Sequence, residues 1–207
     1  MVAVALHDGY EVRPEVAALL AVTEIDRWRE EDPLTATWTE IGNIRIVAKR
    51  SRFEVDLNRP KEKAVYLKPE EAWGLRVWRT HPPSDIIAHA LADYEAFYTA
   101  IGRVFSDLTC RFGRFVVYDL HTYNHRRLGP HVPPAHPKYT PEVNLGTGTM
   151  NRTRWALVVE RFLADMQGFE FFGRSWMSGK MLGFEADISR IGSIRPSSSP
   201  HAYYPSR

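Results

Sequence analysis

Two short apolar runs, each ended by a histidine, constrain the fold of this chain more than any other feature. Residues 2–6, VAVAL, are wholly apolar and close on His7-Asp8-Gly9; residues 114–120, RFVVYDL, are mostly apolar and run into His121-Thr122-Tyr123-Asn124-His125. Continuous apolar runs of this length read as strands buried on both faces, the habit of parallel sheets covered by helices. Helical patterns separate the two runs, so an α/β fold is expected. In open sheets of that class ligands bind at the carboxyl ends of strands, which is where both histidines would emerge.

At 207 residues the chain suits one α/β domain, able to bury roughly 70% of its unfolded surface. Its 27 basic and 25 acidic residues give a net charge of +2. The basic residues are scattered rather than striped, which argues against a nucleic-acid partner and for a small one. A single cysteine, Cys110, allows no internal disulfide and fits a reducing compartment; at the end of an apolar helical stretch it is expected to be a buried structural thiol. Residues 1–6 are too short and lack the basic start of a signal peptide, and nothing approaches the roughly 18 apolar residues of a membrane span. A cytoplasmic location without membrane contact is expected, and the oligomeric state is left open.

Pro14 opens a helix with Val16, Leu19, Leu20 and Ile25 inward, closed by Glu30-Glu31-Asp32-Pro33. Three acids at a helix carboxyl end oppose the dipole and invite a cation or metal, although a solvated charge run is the commoner case. Residues 43–48 and 52–57 read as strands. Ser84 can cap a long helix to about Phe112 whose apolar face is Ile87, Leu91, Tyr94, Phe97, Ile101, Val104, Phe105 and Leu108, with Gly113 as its stop. A second helix is expected over 152–166 and a short strand over 169–172. From about residue 175 the periodicity fades and the end is rich in Ser and Pro, so residues 1–174 form the domain and 175–207 an aberrant, disordered tail.

In SRFEVDLNRP, residues 51–60, Phe53, Val55 and Leu57 alternate with Glu54, Asp56 and Asn58, the pattern of a half-buried strand. At its end Arg59 offers a planar fork for a carboxylate, Asn58 adds a neutral donor, and Pro60 stops the strand. The plain alternative is a surface strand with a solvated arginine. The two strand-end histidines and the acidic cluster supply a His, carboxylate, His set suited to zinc with an open position for water. His125, His131 and His136 read as loop histidines.

Taken in order, His7-Asp8-Gly9, REEDP at 29–33, SRFEVDLNRP, YDLHTYNH at 118–125 and PEVNLGTGT at 141–149 resemble the N-formylglutamate amidohydrolase family, over roughly residues 2–173. The resemblance implies a three-layer αβα fold around a mixed sheet, membership of a wider zinc carboxypeptidase and aspartoacylase-like group, and hydrolysis of N-formyl-L-glutamate to formate and glutamate. It implies that His7 and His121 are zinc ligands, with one of Glu30, Glu31 and Asp32 as the third; Glu31 is preferred. By the same resemblance Asn58 and Arg59 grip a substrate carboxylate, Arg52 holds a second carboxylate or polarises the scissile carbonyl, Asp56 orients an arginine or a ligand, and Asn144, Gly146 and Thr147 shape the pocket.

Family members continue with an N-x-x-F-x-G-G segment and a late strand carrying a glutamate, expected by analogy to be the general acid/base; neither is readable here. Read from the third base of the Ser175 codon, permitted codons give LDVRENVRFRGGHFSHWVHS, which contains that pattern. Residues from about 175 onward are therefore expected to be an out-of-frame translation. Without the late glutamate, proton transfer falls to Glu30, Glu31 or another acid. A member that binds only metal or carboxylate, and a zinc deacylase or carboxypeptidase for another carboxylated substrate, are the alternatives.

Overall fold

The computed structural model describes residues 1–124, 126, 129, 131–136, 141, 143–147, 151–171, 174–175 and 178–181. Strand β1 (Val2–Ala5) is buried at every position, as its unbroken apolar run requires. It lies at the centre of a parallel three-stranded sheet of order β2-β1-β3, with β2 (Ile44–Val47) and β3 (Val117–Asp119) pairing Val2 with Ile44 and Val117. Helices and a small parallel sheet thus make an α/β fold.

The single helix expected from Pro14 to the acidic cluster is instead two. Helix α1 (Pro14–Ala17) stops after one turn, and α2 (Glu24–Glu30) restarts where the Thr23 hydroxyl accepts from Asp26 N at 3.1 Å. Between them the backbone pairs with another segment: Ala21 N donates to Val77 O at 2.8 Å and Arg79 N to Leu19 O at 2.9 Å. That pairing competes with helix propagation, and it leaves Ile25 exposed rather than inward.

Residues 52–57 are not a strand. Residues 51–58 are all buried and turn tightly, with Glu54 N and Val55 N donating to Ser51 O. The polar residues of the alternation face a buried network instead of solvent, so the period-two pattern arises without a sheet partner. Helix α3 (Thr35–Trp38) is a single turn after Leu34, which has φ +73°.

Helix α4 (Ser84–Phe112) ends at Gly113, whose φ of +70° favours glycine. Ser84 occupies the first helical position and Pro83 the cap, so the expected serine cap does not form. Its buried stripe is Ile86, Ala90, Tyr94, Ile101, Phe105 and Leu108, while Ile87, Leu91 and Phe97 pack partly buried beside it. Val104 is exposed, and so is Cys110, contrary to the buried thiol expected: the last turn runs past the core, with Phe112 exposed as well.

Strand β4 (Val143–Gly146) precedes α5 (Arg152–Gln167), which Asn151 caps by accepting from Arg154 N. Strand β5 (Glu170–Phe171) pairs antiparallel with β6 (Arg174–Ser175), and β7 (Ser178–Met181) pairs parallel with β4. Strand β7 lies beyond residue 175, where no element was expected. Most of the remaining tail is outside the described residues. The core joins β1 to the 53–57 turn and to α4 in one cluster that includes Val2, Val4, Leu6, Phe53, Val55, Leu57 and Tyr94.

Candidate functional site

Because β1 and β3 are parallel neighbours, His7 and His121 leave the same sheet edge, and their ring centroids lie 5.0 Å apart. Asp32 reaches them from just past α2, where its N–H donates to His7 O at 3.0 Å. Its Oδ2 lies 2.7 Å from His121 Nδ1 and 3.3 Å from His7 Nδ1. Thr122 Oγ1 donates to Oδ1 at 3.4 Å. Among the described residues, His7, Asp32 and His121 are a group whose ligand atoms all lie within 4.8 Å of one another.

The far ring nitrogens meet further carboxylates. His7 Nε2 lies 2.7 Å from Asp56 Oδ1. A carboxylate only accepts, and both His7 nitrogens face one; with a metal at Nδ1 the ring proton would sit on Nε2, held by Asp56. His121 Nε2 lies 2.8 Å from Asp119 Oδ2, a close ion-pair contact too poorly aligned to count as a hydrogen bond, so these atoms have no hydrogen-bond partner among the described residues. Burial opposes the charge of His121, but Asp119 and Asp32 overcome it and push its pKa up to about 10. Burial likewise opposes the charge of Asp32, and hydrogen bonds from His121 and His7 hold it well below the usual carboxylate range. Two imidazoles and a carboxylate, each imidazole backed by a second carboxylate, fit the donor chemistry of a zinc centre.

Glu31, preferred from the sequence as the carboxylate, points elsewhere. At the end of α2 its backbone is extended, with ψ of 148°, so consecutive side chains diverge: Asp32 faces the histidines, while Glu31 Oε1 accepts from Ser51 Oγ at 2.5 Å and lies 3.6 Å from Arg27 Nη1. Burial pushes the Glu31 carboxyl up, against the Ser51 hydrogen bond. Glu30 ends α2, where its Oε1 accepts from Asn124 Nδ2 at 3.4 Å and its backbone carbonyl from Arg52 Nη1 at 3.1 Å.

Asp56 joins this group to the arginines. It is fully buried, and beside His7 it accepts from Arg52 Nη2 at 2.9 Å, Asn58 N at 2.8 Å and the Tyr66 hydroxyl, with Arg59 Nε 3.6 Å away. Burial opposes its charge, and Arg52 and His7 still hold the carboxyl well below the usual range. Arg52 also donates to Tyr66 Oη at 3.1 Å and lies 4.6 Å over the Trp73 ring, so its fork is largely engaged within the protein. Arg59 donates to Glu71 O at 3.0 Å, lies 5.2 Å over the Tyr66 ring and keeps 30% side-chain exposure. The buried amide oxygen of Asn58 has no hydrogen-bond partner among the described residues.

No motif pointed to Tyr66, which lies in an unremarkable AVYL run; Asp119 lies inside the YDLHTYNH motif at 118–125, but no role was read for it from the sequence. Asn144 and Gly146 belong to β4, in the separate β4-β7 pair, and Thr147, just after it, is buried and accepts from Arg152 Nη2 at 3.1 Å. His131 and His136 are exposed, and His125 is outside the described residues.

A polar site of histidines, aspartates and arginines at the carboxyl edge of parallel strands defines an α/β protein equipped for hydrolytic chemistry. Residues 1–172 match the family model of N-formylglutamate amidohydrolase, and the chain belongs to that family, with an amidohydrolase-type function. No curated protein and no solved structure matches it. Among the described residues no helix is long and apolar enough to cross a membrane.

Proposed function

We propose that this chain hydrolyses the amide bond of N-formyl-L-glutamate or a closely similar N-acyl amino acid, using zinc held by His7, Asp32 and His121. The convergence of those three side chains within 4.8 Å is the observation that carries the reading. Bound there, zinc would supply an acidified water and polarise the scissile carbonyl.

The chain's own residues divide the remaining work. Asp56 and Asp119 orient the imidazoles, so that ligand geometry is set before substrate arrives. Arg59, the more exposed arginine, grips the substrate carboxylate bidentately. The Asn58 amide oxygen, an acceptor, suits a substrate N–H. Arg52 stands behind them and keeps Asp56 charged. Proton transfer falls to Glu31 or Glu30, the acids beside Asp32 in sequence; Glu31 would have to leave its Ser51 contact to reach the site. The reading carries with it the three-layer αβα arrangement of the related zinc hydrolases. It also takes residues 1–174 as the family domain and the rest as an out-of-frame end; coding DNA that forbids the shifted string would overturn that part.

The test is formate release from N-formylglutamate by zinc-loaded protein, run beside the acetyl and succinyl analogues. Turnover that prefers the formyl substrate and disappears in Asp32→Asn supports the proposal. Preference for another acyl group moves the substrate, and stoichiometric zinc without any turnover leaves a binding protein. Absence of bound zinc overturns the metal site.

A further inference from the structure

Segments 66–69 and 76–81 enclose an open bowl of about 330 Å³ that none of the three proposed metal ligands lines. Its floor is apolar, since Val77 and Trp78 are buried, as is Tyr66. The Trp78 indole N–H donates to Tyr66 O at 2.7 Å, which ties the two segments together.

The rim has the opposite character. Lys68, Arg76, Arg79 and His81 line it, and no Asp or Glu does. Glu71, a few residues on, turns its carboxylate to the backbone N–H groups of Leu67 and Lys68, at 2.7 and 3.0 Å. Among the described residues no carboxylate lies within 4.0 Å of the Lys68, Arg76 or Arg79 side-chain nitrogens. Exposed cations are usually just solvated. Arg76 differs because its guanidinium is held in place, with Nε donating to Trp78 O at 3.1 Å and Nη2 to Arg79 O. Carbonyl acceptors fix its direction without neutralising its charge. His81 Nδ1 is committed to Pro82 O at 2.9 Å, which leaves Nε2 as its other ring nitrogen.

An oriented guanidinium, two further unpaired cations and an apolar floor make a concave site that concentrates anions. Its volume lies at the small end of the range for small-molecule pockets. We propose that this bowl binds a small multivalent anion through its carboxylate or phosphate groups, as a second ligand site beside the hydrolytic one. Tyr66 touches both: it lines the bowl, and its hydroxyl donates to Asp56.

Calorimetric titration of the full chain with inorganic phosphate and with tricarballylate, at ionic strength fixed by sodium chloride, tests this. No hydrolysis is read, so the result stands or falls apart from the proposed reaction. One saturable site is expected, weakened about tenfold or more by Lys68→Gln/Arg79→Gln, which removes two charge-assisted hydrogen-bond donors. Those two side chains hold no part of the fold through hydrogen bonds or ion pairs among the described residues, so the double variant should fold. Arg76→Lys, which keeps the charge and loses the fork, should weaken binding several-fold, whereas Arg103→Gln on α4 should not change it. Binding of only one probe supports the site and names its anion class. No saturable binding of either probe, unchanged binding in Lys68→Gln/Arg79→Gln, or loss of binding in Arg59→Gln alone would overturn the proposal.

Discussion

Asp56 shares two oxygens among His7, Arg52, Tyr66 and the backbone N–H of Asn58. Replacing it by Asn keeps the shape but leaves the Arg52 guanidinium buried without its counter-charge. Breaking a buried pair in this way costs about 3–5 kcal/mol, and losing a carboxylate behind a ligand histidine lowers metal affinity about 10–100-fold. Asp56→Asn should therefore lower both the denaturation midpoint and zinc affinity. Tyr66→Phe removes one hydroxyl and keeps the ring under Arg59, so a smaller loss of about 1–3 kcal/mol is expected in the same denaturation measurement. The ligand question is also settled residue by residue: Asp32→Asn should abolish zinc in metal analysis, while Glu31→Gln should retain it. The sequence narrowed the carboxylate to three adjacent acids and preferred Glu31, one residue short of the Asp32 that faces the histidines. That choice depends on the backbone direction at the end of α2, where one residue of offset exchanges the histidines for Ser51.

At the scale of elements, α4 does more than cover the sheet. Tyr94 and Tyr98, one turn apart, donate to Arg59 O at 2.9 Å and Leu57 O at 2.5 Å, bracketing Asn58. The helix thus holds the backbone from which the proposed substrate clamp projects. Tyr94→Phe/Tyr98→Phe should raise KM several-fold with little change in kcat, since the metal group is untouched; an unchanged KM would detach α4 from the clamp. Gly9 plays a similar part behind His7, because a Cβ there would lie 2.3 Å from the Lys49 carbonyl carbon. Elements whose periodicity reflects burial against one partner were legible: β1 from its unbroken apolar run, α4 from a 29-residue stripe ended by glycine. Residues 52–57 were not, because polar groups buried in a charge network imitate the outward half of a strand. The break after α1 was hidden for a related reason, since backbone pairing of 19–21 with 77–79 is a long-range event that no local pattern records.

Across the whole molecule, the three proposed ligands come from the end of β1, the segment after α2 and the end of β3, separated by 25 and 89 residues along the chain. A metal held by all three would pin the segment after α2 to β1 and β3, which already pair as neighbours in the sheet. It would bind the folded chain and not the unfolded one, so its affinity appears directly as stability: about 2.7 kcal/mol at free zinc 100-fold above Kd. Denaturant titration of protein at that zinc level, compared with protein carrying excess chelator, should show a gap of this size. Glu31→Gln should preserve the gap, whatever its effect on turnover. Asp32→Asn should close it, with zinc-loaded and chelated samples unfolding together. A gap that survives in Asp32→Asn would move the metal away from the sheet edge, and with it the reason for reading His7, Asp32 and His121 as one site.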